Sequence, residues 1–136
     1  MSNILITGIT GLLGSHLSVE LSNLGHTLYG VTRRIYNKAN YEPVLVDLSS
    51  DWEISELPTN IDVIYHLAQS DKFRDFPAGA PDVFQVNINS TAKLLDYAKK
   101  SGVKNFTYAS SGGVYGNGKE PFLENEPIVP FGELGY

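Results

Sequence analysis

The chain has 136 residues, 42% of them hydrophobic, with a net charge of −5 and a pI near 5.0. That is one domain's worth of material, able to bury roughly two-thirds of its unfolded surface, with no room for a second domain of similar size. The acidic balance argues against a sequence-independent grip on nucleic acid, the absence of cysteine excludes disulfides and thiolate metal sites, and neither a signal peptide nor the ~18 apolar residues of a membrane span can be read; a cytoplasmic protein without metal, nucleic acid or membrane partner is expected.

Ile4 to Ile6 is a short apolar run ending in Thr7-Gly8 and predicts a buried strand. Leu13, Leu17, Leu21 and Leu24 recur at spacings of four, four and three, which predicts one apolar helix face, stopped by Gly25. Thr27 to Thr32 reads as a second strand, and Pro43 to Val46 as a short third one ending at Asp47. A turn-rich, acidic stretch from Ser49 to Asn60 leads to a fourth strand over Ile61 to His66. Asp71 to Pro81, without clear periodicity, reads as a loop. Asp82 then opens a long helix with Phe84, Ile88, Thr91, Leu95 and Ala98 on one face, Lys99 and Lys100 at its negative end and Gly102 closing it. Asn105 to Ala109 is a fifth strand, and the Gly-, Pro- and Glu-rich remainder after Gly112 reads as loop. Strands alternating with helices imply an α/β fold with a parallel sheet covered on both faces. Right-handed crossovers and an early glycine turn favour the doubly wound arrangement with strand order 3-2-1-4-5.

Glycines at 8, 11 and 14 follow the first strand and open the first helix. Gly8 suits a tight turn, Gly11 lets a phosphate approach backbone N–H groups, and Gly14 allows close helix–strand packing, with the helix N-terminus facing a pyrophosphate. Three glycines alone are weak, and a merely glycine-rich turn is the plainer reading. The strand before and the helix after give the pattern weight, so Gly8, Thr10, Gly11, Leu12, Leu13 and Gly14 are candidate cofactor-binding residues.

The spacing T-G-x-x-G-x-x-G, rather than G-x-G-x-x-G, resembles that of the extended short-chain dehydrogenases/reductases, the family of nucleotide-sugar epimerases and dehydratases. Three further segments support the resemblance. His66-Leu67-Ala68-Gln69 is similar to H-x-A-[AG], Asn87 to Leu95 to N-V-x-G-T-x-x-L-L, and Ala109 to Gly116 to S-S-x-x-V-Y-G. The four segments come in family order and cover nearly the whole chain. The resemblance implies a Rossmann-like NAD(P)-binding domain over residues 1–136, incomplete, without a substrate domain, and belonging to an enzyme that acts on a nucleotide sugar and forms homodimers.

An NAD-binding domain usually ends its second strand with an acid that holds the ribose 2′-OH. Here Thr32 occupies that position, followed by Arg33 and Arg34. Two guanidiniums suit a 2′-phosphate, so NADP is favoured, with NAD the alternative. By the resemblance, Asp47 and Leu48 contact the adenine, and Leu67, Ala68 and Gln69 run along the ribose and diphosphate. Asn87 supports the active-site backbone, Ser110 lies beside the nicotinamide, and Ala109 is a further cofactor-binding candidate. Gln69 stands where a small residue is common and narrows the site. His66 is read as a hydrogen-bonded core residue rather than a catalyst.

The family's chemistry needs a tyrosinate near neutral pH, a shift of ~3 units from a free tyrosine, or about 4 kcal/mol. A lysine and the oxidised nicotinamide supply the field, while a Ser or Thr hydroxyl meets the reacting oxygen. The resemblance assigns these catalytic parts to Ser111 and Tyr136, the latter about 25 residues on and the last in the chain, with no lysine after it. Tyr115 to Lys119 also spells Y-x-x-x-K, but two glycines inside it oppose the helix such a pair needs. The chain is therefore expected to be a fragment, inactive by itself. A non-catalytic NAD(P)-binding regulatory module is the alternative function, and a scaffold that binds nothing is the third.

Overall fold

A strand in which every residue is apolar must be covered on both faces, and Ile4, Leu5 and Ile6 are indeed fully enclosed. In the computed structural model, which describes residues 1–37, 39–116 and 121–128, they belong to the central strand of a five-stranded parallel sheet. Its strands are β1 (Asn3–Thr7), β2 (Thr27–Thr32), β3 (Glu42–Leu45), β4 (Val63–His66) and β5 (Asn105–Tyr108), in the expected order β3-β2-β1-β4-β5. Thr7 pairs in register with Val31 and with His66, and His66 with Tyr108. The strands therefore finish nearly level, and their carboxyl ends share one edge of the sheet.

Side chains alternate across a strand, and the core divides accordingly. Ile4, Ile6, Ile9 and Leu28 pack with Leu21 of α1 (Leu12–Asn23) on one face. Leu5, Val31, Val44 and Ile64 pack on the other, against a helical run made of α2 (Ala80–Phe84), a π-helical turn (Gln85–Asn89) and α3 (Ser90–Ser101).

Both helices bury a row that overlaps only in part with the one periodicity selects. In α1 the sheet-facing residues are Gly14, Ser18 and Leu21, with Leu17 beside them, whereas Leu13 and Leu24 are exposed. A Cβ on Gly14 would lie 2.3 Å from the Gly8 carbonyl oxygen. The closest helix–strand approach therefore sits at the smallest residue, and the leucine row is rotated partly away. In the long run the buried row is Val86, Ser90, Leu94, Tyr97 and Ala98, while Phe84, Ile88 and Leu95 stay half exposed, at 53%, 53% and 50%. The π-turn adds a residue to one turn and shifts the helical phase. The winning row also contains Ser90 and Tyr97, whose polar atoms are satisfied inside the core.

The remaining differences are local. The helical run starts at Ala80, and Asp71–Asp75 forms a 3₁₀ turn rather than irregular loop. The stretch after β3 buries Trp52 and Leu57 around a 3₁₀ turn at Ile54–Glu56. Gly112–Tyr115 forms another such turn, with the Tyr115 ring stacked on Phe122. Among the described residues, no helix is long and apolar enough to cross a membrane.

Candidate functional site

A cleft of about 490 Å³ opens at the edge where the strands end, within the ~300–1,000 Å³ typical of small-molecule and cofactor sites. Most of its wall comes from the strands' carboxyl ends. Gly8, Thr10, Gly11 and Leu12 follow β1, and Thr32 and Arg33 close β2. Asp47 and Leu48 follow β3, and Leu67, Ala68 and Gln69 follow β4. Sequence reasoning missed the apolar Val31, Val46 and Val86 and the polar Ser49, Ser70, Asp71 and Asp82 that complete the lining. Val31 and Val46 neighbour singled-out residues and could have been found by extending each strand end by one residue. Val86 and Asp82 come from the distant helical run and carry no local signal.

The remaining candidates lie elsewhere. Leu13 is on the outer side of α1 and Gly14 beneath it. Arg34 is not among the residues that line the cleft. Ala109, Ser110 and Ser111 are exposed just beyond β5, at the same edge of the sheet but outside the cleft lining. Tyr136 lies outside the described residues.

Two glycines make the first turn possible. Gly8 has φ +68°, and a Cβ there would sit 2.8 Å from the Ala68 nitrogen. Gly8 thus meets both a left-handed backbone and the β4 chain end. Gly14 brings α1 down onto Gly8 and Ile9. The Gly11 N–H donates to the Gly8 carbonyl at 2.9 Å, closing the turn. No side chain caps α1, whose first amides have no acceptor within the helix, and its first residue, Leu12, lines the cleft. This end can receive an anion.

At the end of β2 the Thr32 hydroxyl, not a carboxylate, faces the turn and donates to the Arg34 carbonyl at 2.8 Å. Successive side chains diverge there. Arg33 lines the cleft, while Arg34 stacks over Tyr36 and donates from Nε to its hydroxyl at 2.9 Å. One guanidinium, not two, therefore faces the cleft. The Asp47 carboxylate accepts from the Ser49 N–H and hydroxyl, at 3.0 and 2.7 Å. Partial burial pushes its pKa up, but the two Ser49 hydrogen bonds and the nearby Arg33 charge outweigh this and hold it below the usual carboxylate range. Asp47 thus has a structural role in its turn whatever else it touches.

His66 is fully buried at the end of β4. Thr7 Oγ1 accepts from the Leu67 and Ala68 amides, each at 3.2 Å. Both its lone pairs are then used, so its proton goes to His66 Nδ1, 2.6 Å away. His66 Nε2 consequently carries the ring proton and donates to Thr91 Oγ1 at 2.8 Å, and Thr91 donates to the Asn87 carbonyl at 2.8 Å. The Asn87 side chain accepts from the Ser70 N–H at 2.8 Å, and Ser70 Oγ donates to Asp82. The imidazole is neutral, and burial pushes its pKa down to about 4. It belongs to a frame that fixes the β4 wall, as expected of a core histidine. Ser111 accepts from the Gly113 N–H at 3.2 Å and caps the turn after β5.

The cleft therefore fits a dinucleotide on its own geometry, by a glycine turn that a Cβ would fill, an uncapped helix start, and one cation and one carboxylate at the far strand ends. The chain is similar to several known proteins. The chain is 31% identical over 130 residues to UDP-N-acetyl-alpha-D-glucosaminuronate decarboxylase of Bacillus cytotoxicus, covering 90% of this chain and 40% of that one. It is 27% identical over 137 residues to a UDP-glucose 4-epimerase of Klebsiella pneumoniae, covering 90% and 99%. The solved structure of MoeE5 in complex with UDP-glucose and NAD superposes with a TM-score of 0.79 at 29% identity, over 98% of this chain and 44% of that one. The chain thus spans less than half the length of the decarboxylase and of MoeE5. Residues 4–134 match the NAD dependent epimerase/dehydratase family, and the chain belongs to that family.

Proposed function

We propose that residues 1–136 form the dinucleotide-binding domain of an enzyme that acts on a nucleotide sugar by reversible hydride transfer, and that its cofactor is NADP in preference to NAD. The observation that carries this reading is the convergence, in one cleft, of the Gly8–Gly14 turn, the Arg33 guanidinium and the Asp47-Leu48 pair. A nicotinamide dinucleotide bound there supplies a ring that takes and returns a hydride. The amides at the start of α1 hold its diphosphate, Arg33 meets the 2′-phosphate, and Leu67, Ala68 and Gln69 line the path toward the nicotinamide. Ser111 offers a donor to the reacting sugar oxygen, and Tyr136 exchanges the proton. The names of the relatives, sugar-nucleotide epimerases and a decarboxylase among them, support this substrate class. The half-exposed row Phe84, Ile88 and Leu95 supports a homodimer through the long helical run.

Calorimetric titration with NADPH and NADH tests the assignment. Arg33→Ala should weaken NADPH about tenfold or more, the worth of a charge-assisted hydrogen bond, and leave NADH nearly unchanged. Binding of neither dinucleotide would overturn the reading as a whole. Equal losses for the two would overturn the choice of NADP.

A further inference from the structure

Val86, which lines the cleft, sits in the π-turn of the helical run, and residues around it reach the two opposite walls. Toward the β4 side run Asp82, Asn87 and Thr91, tied to Ser70 and His66 as described above. Toward the β3 side run Gln85, Ser90 and Lys93. Ser90 Oγ donates to the Leu48 carbonyl at 2.7 Å and accepts from Trp52 Nε1 at 2.9 Å. Gln85 Nε2 donates to the Ser50 carbonyl at 2.8 Å. Lys93 Nζ donates to the Trp52 carbonyl at 2.6 Å and pairs with Asp51 at 2.9 Å. Leu48 and Asp47 are the lip of the cleft on that side.

Resting on the dinucleotide reading, we propose that Ser90, with Trp52 behind it, is a positioning residue for cofactor binding, setting where the Asp47-Leu48 lip stands against the adenosine half of the dinucleotide. Ser90 does not line the cleft. It is fully buried, as is Trp52, and the pair is enclosed. In the motif that this helix resembles, the Ser90 position is glycine, which has no hydroxyl to offer. Here the hydroxyl fills both its roles at once. Its single proton fixes the Leu48 carbonyl, and its oxygen receives the indole N–H, so neither partner is left unpaired in the core. A backbone carbonyl held from behind by a fully enclosed hydroxyl has little freedom to slide. The residue carrying it, and Asp47 before it, are therefore placed before any ligand arrives, which favours binding by preorganisation.

The full chain is titrated with NADPH and with ADP, which carries only the adenosine and diphosphate. Ser90→Ala should weaken both by about fivefold, the scale of one lost hydrogen bond acting on position. Gln85→Ala, a more peripheral tie, should weaken both by about twofold and serves if Ser90→Ala does not fold. Tyr97→Phe is the control for stability alone. It removes a partly buried hydrogen bond from the same helix to the Pro58 carbonyl, neither residue lining the cleft, and should lower the melting temperature without changing either affinity. The indole of Trp52, the sole tryptophan, should also shift its emission in Ser90→Ala. Affinities within error of the parent in Ser90→Ala, or equal losses in Tyr97→Phe, would overturn the proposal while leaving the dinucleotide reading intact. No binding by the unmodified chain would overturn both.

Discussion

The proton positions around His66 have a consequence for pH. The imidazole takes a second proton only at about 4 when folded, against about 6.5 in the unfolded chain. Protonation at Nδ1 would aim an N–H at the Thr7 hydroxyl, whose two lone pairs already receive the Leu67 and Ala68 amides. Between these two values the unfolded chain binds more protons than the folded one, so stability rises with pH. Lowering the pH from 6.5 to 4 should therefore remove about 3 kcal/mol through this residue, with no further loss from it below 4. Asp47 and Asp62, both held low by their partners, contribute a term of the same sign in a lower pH window. Their stabilisation is present above the ordinary carboxylate range and fades as pH falls through their depressed values. Urea denaturation across this range separates the two. His66→Gln should start less stable and show a flattened slope above pH 4. An unchanged slope would mean that the buried imidazole is not the group that titrates.

At the scale of elements, the helical run Ala80–Ser101 has two apolar rows, and the sheet covers only one of them. Ile88 and Leu95 are on the open row, so Ile88→Glu and Leu95→Lys should change monomer stability by no more than about 0.5 kcal/mol. If that row is the dimer surface, sedimentation should show the full chain shifting to monomer in the double variant. A dimer that survives both charges would put the interface elsewhere. The same helix shows why periodicity misled. With apolar residues on two rows, spacing alone cannot rank them, and the π-turn changes the phase midway without any marker in Gln85–Asn89. In α1 the leucine spacing was regular, yet Gly14 decided the packing, because close backbone approach outweighs larger side chains further out. Strand order was legible for the opposite reason, since short apolar runs, glycine turns and right-handed crossovers leave few alternatives. Of the candidate site, residues at strand ends could be read from local pattern. Asp82 and Val86 could not, because the helical run that brings them there is fixed only by tertiary packing.

For the whole molecule, the cleft exists only while four strand ends and one helical run are held together. Gly8 abuts Ala68, Thr7 anchors Leu67 and Ala68, and Ser90 anchors Leu48. No short segment reproduces this arrangement, so the unfolded chain offers a dinucleotide nothing comparable, and ligand binding must appear as stability. With free NADPH at 100 times its dissociation constant, the folded state gains about 2.7 kcal/mol. For a chain of this size, that should raise the melting temperature by roughly 8–10 °C. ADP at the same multiple of its own constant should give the same rise, because the gain depends on saturation rather than on the ligand's identity. Arg33→Ala should retain the full rise once NADPH is rescaled to its weaker constant, since Arg33 is exposed and does not hold the walls together. Differential scanning calorimetry over a ligand series measures this directly. A melting temperature that stays flat above the measured constant would mean that the ligand binds a surface which persists when the sheet comes apart, and the cleft at the strand ends could not be its site.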